Sequence, residues 1–147
     1  QQTSVVSYRQ PVASVIRSMG MNYDPHALSH YGGSPTRTDA NRLRDKKCTE
    51  MLGKFIDVLK RSKEADGSSL FDHTILSWGT NLRHGHMIKD LPAIVAGGGD
   101  RLKLGQSIFL PKEDIPLGNL WLTLLRQAGV EVEKFGNATG ILPELLA

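Results

Sequence analysis

Histidines are the residues of this chain best suited to chemistry, and four of them fall into two spaced pairs. His84 and His86 flank Gly85. In an extended backbone, alternate side chains point the same way, so both rings could approach one ion. His26 and His30 stand four residues apart, which puts both on one face if Pro25–Tyr31 is helical. Neutral imidazole is a common ligand for zinc, copper, nickel or iron. If the two pairs converge, His84, His86, His30 and His26 form one divalent metal site, for zinc or another transition metal. Ala27 stands where the zinc-protease helix motif carries glutamate, so that motif is not present. In the loop around the first pair, Arg83 is suited to an anionic ligand group, Asp90 to serving as a further ligand or to orienting a ring, and Asn81 to a further polar contact. The competing expectation is that these are turn and surface-loop histidines, since two imidazoles fall short of the three protein ligands of a catalytic zinc.

Other groups carry less chemistry. Cys48 is the only cysteine, which excludes an internal disulfide and a cysteine-only metal site, and it falls on the apolar side of a predicted helix. Gly97-Gly98-Gly99 lacks the lysine ending of a phosphate loop, and no Gly-x-Ser-x-Gly elbow occurs. Ser29 beside His30 is adjacency rather than triad geometry. His73 precedes a strand and reads as structural. Asn137-Ala138-Thr139 fits the short glycosylation pattern. No catalytic residue is assigned.

The elements that must position these residues follow from periodicity. A short helix is expected after Pro11, then a break at Asn22–Pro25. Thr36–Ala65 reads as the longest helix, capped by Thr38 or Asp39, with Leu43, Met51, Leu52, Phe55, Val58 and Leu59 mostly on one stripe. Thr74–Trp78 and Ala93–Ala96 read as buried, neighbouring, parallel strands, and the loop Gly79–Lys89 leaves the end of the first. Arg101–Leu104 and Ser107–Leu110 suggest a hairpin. Ile115–Ala128 is an amphipathic helix with Asp114 as its cap and Gly129 as its stop, and Ile141–Ala147 is an apolar tail that docks. The expected fold class is α/β, part of a helix-covered, mainly parallel sheet. Residues 1–35 form a lead-in segment with a histidine-containing turn, and 36–147 the C-terminal α/β portion of a larger domain. Two central strands are too few for a sheet, and the chain begins at Gln1-Gln2, so a processed or partial chain is expected. Its partners would be the rest of the same protein or other protein subunits.

The formal charge is +3 and the pI about 9.1. Basic residues cluster in 37–47 and 60–63, but acids are interspersed and no aromatics interleave, so nucleic acid is not an expected partner. No apolar run is long enough to span a bilayer.

Several segments in order carry a resemblance. They are Ala27-Leu28-Ser29-His30-Tyr31-Gly32, Leu70-Phe71-Asp72-His73-Thr74-Ile75-Leu76, Arg83-His84-Gly85-His86, Asp90–Gly99 and Phe135–Gly140. From about Asp24 to its end, the chain resembles the C-terminal part of an uncharacterised bacterial family, domain-of-unknown-function family fifteen fifty-two. The resemblance implies a longer, exported, periplasmic or extracellular protein, distantly alkaline-phosphatase- and sulfatase-like, with no established reaction. In that superfamily the strand resembling Thr74–Trp78 runs into a metal-binding Asp-His-Gly. Here Gly79-Thr80-Asn81 follows instead, and His26-Ala27 replaces a pair of adjacent histidines. The departures favour a binding or assembly module with a histidine-based metal site. The alternative is a metal-dependent phosphate- or sulfate-ester hydrolase completed by N-terminal sequence.

Overall fold

A computed structural model describes residues 12–80, 82–110 and 115–147, except the side chain of His84. Helices α1 (Val12–Ser18), α2 (Pro25–Ser29), α3 (Pro35–Arg61) and α4 (Leu70–His73) precede strand β1 (Ile75–Gly79). Strand β2 (Ala93–Gly97) and helix α5 (Leu117–Gln127) follow, and short 3-10 turns fill several connections. No described helix is long and apolar enough to cross a membrane.

The two strands are neighbours, but they form a two-stranded antiparallel pair rather than part of a mainly parallel sheet. The expected α/β layer is therefore corrected: 48% of the described residues are helical, and the helices carry the fold. The physical reason lies between Gly79 and Ala93. A parallel pair needs a crossover, usually a helix. Among its described residues this connection contains only the three-residue turn His84–His86, so the chain doubles back. At the far end of the pair, Gly97 takes φ +77°, and a Cβ there would run into the carbonyl oxygen of Thr74. Glycine permits both the backbone angle and the close approach.

The chain divides into two compact units. Of the described residues, one holds Leu59–Ser77 and Val95–Ala147; the other holds those up to Val58 and Trp78–Ile94. In the first unit, α5 turns Leu120 and Leu124 into a buried cluster with Leu102, Leu142 and Leu145. Each such leucine contributes about 1.5–3 kcal/mol when withdrawn from water. The C-terminal tail docks as expected, and polar bonds hold it in place. The Thr123 hydroxyl donates to the Asn119 carbonyl at 2.7 Å and accepts from the Leu142 amide at 2.8 Å. Asn119 Oδ1 accepts from the Thr139 amide at 2.9 Å. Leu102 forms an antiparallel bridge with Leu146, so the segment expected to start a local hairpin pairs with the tail instead. The C-terminal end of α5 is met by Arg101, whose guanidinium donates to the Gln127 carbonyl at 3.2 Å. The expected cap at Asp114 lies outside the described residues, and Pro116 occupies the N-cap position.

In the second unit, Ile16 and Leu28 are fully buried and pack with Ala40, flanked by Val12, Met21 and Tyr23. Helix α3 begins at Pro35, earlier than expected. The Ser34 hydroxyl accepts from the Arg37 amide at 3.4 Å, and proline suits a first helical turn. Ala40, Cys48, Leu52 and Leu59 are the buried positions of α3, whereas Leu43, Met51, Phe55 and Val58 stay substantially exposed. The apolar stripe is thus wider than the face that is covered. Burial pushes the Cys48 thiol above its ordinary range, as befits a small packed hydrophobe.

Candidate metal centre

All the groups of this site belong to the second unit, and two local structures bring them together. The first is α2. Asp24 caps it, its carboxylate accepting from the Ala27 amide at 2.8 Å, and Pro25 opens its first turn. Leu28 anchors one side of this turn in the core. His26 and His30, the latter at the C-cap, then approach each other with ring centres 4.8 Å apart.

The second is the loop after β1. The Arg83 amide donates to the Met87 carbonyl at 2.7 Å, closing a tight turn around His86. Inside it, Gly85 lies at φ 62°, ψ 31°, and His86 itself at φ +66°. A non-glycine residue in this region is uncommon and carries strain of order 1–3 kcal/mol. That backbone projects the His86 ring toward α2. The expectation of an extended His84-Gly85-His86 is therefore corrected: the segment is a turn, and it is this turn, not strand alternation, that aims the His86 ring.

His26, His30 and His86 each offer a ligand nitrogen, and these atoms all lie within 4.8 Å of one another. His30 Nε2 and His86 Nε2 face each other at 3.0 Å. Ring centres are 5.1 Å apart for His26 and His86 and 4.6 Å for His30 and His86. A tetrahedral ion with metal–nitrogen bonds of about 2.0–2.1 Å sets its donors about 3.3 Å apart and the ring centres about 5.2 Å apart. The three rings are therefore near the spacing an ion imposes, and small ring rotations would complete it. His26 and His86 are exposed and His30 is half-buried.

Of the other predicted site residues, Arg83 and Asp90 pair with each other, guanidinium to carboxylate at 2.9 Å, with both side chains largely in solvent. Asn81 and the side chain of His84 lie outside the described residues. The expected convergence of the two histidine pairs is met by His26, His30 and His86; the signal for the turn that delivers His86 was Gly85.

His73 has a partner that sequence adjacency hides. Its Nε2 lies 2.7 Å from the Ser68 hydroxyl, which also bonds to Asp66. The hydroxyl has one proton. The bonds from the Ser68 hydroxyl and amide hold the Asp66 carboxyl below its usual range, which fits a hydroxyl that donates to Asp66. His73 then donates to Ser68, the reverse of what activates a serine nucleophile. This group is a turn lock.

Comparison of the chain with protein-family models, with characterised proteins and with solved structures returned no match.

Proposed function

We propose that this chain is a metal-binding module of an exported protein and holds one divalent transition-metal ion on His26, His30 and His86. The observation that carries the reading is the meeting of three imidazoles from two segments far apart in sequence, His30 and His86 being 56 positions apart. A lone surface histidine needs no explanation. Three at ion-like spacing, one of them on a strained backbone, are what a ligand set requires. Zinc, copper, nickel and cobalt suit an all-imidazole set; calcium and magnesium prefer oxygen. Export is what the family resemblance implies, and it adds a setting rather than a reaction.

The test is calorimetric titration of metal-stripped protein with zinc. One ion per chain is expected, with affinity reduced at least tenfold in His30→Ala and in His86→Ala. Affinity should also fall as the solution is acidified, because protons compete with the ion for the same ring nitrogens. Wild-type protein that binds no zinc, or variants that bind it as well as wild type, would reject the reading. His84→Ala, titrated alongside, measures whether that residue adds a donor.

A further inference from the structure

Resting on that reading, we infer that the ion is a cross-link: it locks the segment 82–90 onto α2, and without it that segment leaves its left-handed turn. The two sides of the site are held very differently. On one side, α2 is anchored: Leu28 is fully buried, and Asp24 caps the helix through the Ala27 amide. On the other side, apart from His84, every residue of 82–90 is exposed, so burial does little to tie that segment down.

The backbone of the segment is also the costly one. His86 and Asp90, at φ +66° and +52°, are the non-glycine residues at positive φ among the described residues. The bonds from Arg83 to Met87 and to Asp90 both lie within the segment and fold it on itself. A contact to α2 runs between ring nitrogens of His30 and His86 at 3.0 Å. Segments with exposed backbone and few buried contacts open at little cost. An ion gripped by His86 together with His26 and His30 binds the closed arrangement alone and shifts the population toward it. A donor from His84 would not alter this, because His84 sits on the same segment as His86.

Amide hydrogen exchange with and without zinc, on protein whose zinc content is counted, tests the cross-link. With free zinc about 100 times above its Kd, exchange of the Arg83 amide should slow by up to about 100-fold. In His30→Ala, zinc should change nothing, and slowing that persists there would overturn the inference. The second arm is Gly85→Ala. Gly85 takes φ +62° with nothing within 4 Å of a Cβ, so alanine removes no ligand and meets no clash; it penalises only the left-handed turn. If the metal-free segment leaves the turn, that penalty falls on the bound form, and zinc affinity drops about five- to thirtyfold. If the turn persists without the ion, the penalty is the same with and without zinc, affinity is unchanged, and the inference fails. One zinc per chain with exchange across 82–90 unaltered would overturn the inference and leave the metal site standing. Failure of the wild-type protein to bind zinc would overturn the site and the inference together.

Discussion

Two polar constellations, one in each unit, show how similar side chains serve opposite purposes. Asn119, Thr123 and Thr139 tie helix α5 to the tail. Asn119 and Thr123 are buried: the Thr123 hydroxyl bonds to the backbone of Asn119 and Leu142, and the Asn119 side chain bonds to both the amide and the hydroxyl of Thr139. A buried polar group must find such partners or lose the cost of its desolvation. His26, His30 and His86 stand at the other extreme. Two are exposed, and the closest contact within the group is between two ring nitrogens. Water can solvate the exposed rings of His26 and His86 whichever way they point, so burial does not demand that they meet.

The largest effect should come from the apolar floor beneath the first constellation. Leu124→Ala removes a side chain that is 7% exposed and packed among Leu102, Leu120, Leu142 and Leu145. A loss of about 2–5 kcal/mol is expected, read from the urea midpoint. A change under about 1 kcal/mol would mean that the cluster is not a cohesive core. Next, Thr123→Val keeps the shape but leaves the Leu142 amide without its acceptor, at a cost of about 1–3 kcal/mol. An equally stable valine variant would erase the contrast drawn above.

His86→Gly sharpens the comparison from the other side. Glycine tolerates the φ of +66° that histidine strains to adopt, although it gains entropy in the unfolded chain. Metal-free stability should stay level or rise by up to about 1 kcal/mol, while zinc binding is lost. A marked loss of stability would turn the histidine cluster into a structural contact.

Legibility differed between the two regions for physical reasons. Helix α5 was readable because Leu117, Leu120, Leu124 and Leu125 repeat at helical spacing, and one periodic face suffices to define it. The positions of both strands were readable from apolar runs, but their direction was not. Direction depends on what the connection between Gly79 and Ala93 does, and runs such as Ala-Ile-Val-Ala look alike in either orientation. The pairing of Leu102 with Leu146 is a long-range choice that defeats any local hairpin rule. At the site, both histidine pairs were visible as spacings, and their convergence was a stated expectation. The part that stayed hidden was the mechanism: a left-handed turn at Gly85-His86, closed by the Arg83–Met87 bond, brings the His86 ring to His26 and His30, where an extended strand aligning His84 with His86 was expected. Arg83 and Asp90 were singled out as ligand contacts because neither spacing nor charge reveals that they satisfy each other.

The smallest effect expected lies in the capping box of α4, and pH can isolate it. The Ser69 hydroxyl and amide both bond to the Asp72 carboxylate, while the Asp72 amide bonds back to the Ser69 hydroxyl. These bonds, the hydroxyl's foremost, hold the Asp72 carboxyl below its ordinary range. A carboxyl whose folded pKa is lowered contributes stability that is fully present above its unfolded pKa, about 3.9 for aspartate, and is lost as pH falls through the folded value. Asp72→Asn deletes that contribution at every pH. The difference in urea midpoint between wild type and Asp72→Asn should therefore be small but constant above about pH 5, then shrink as the solution is acidified below about pH 4. Asp66, held low by Ser68, titrates in the same window but is present in both proteins, so its effect cancels from the difference. A difference that grows on acidification would reverse the sign assigned to Asp72. A difference independent of pH would attribute the cap to shape rather than to the charge on its carboxylate.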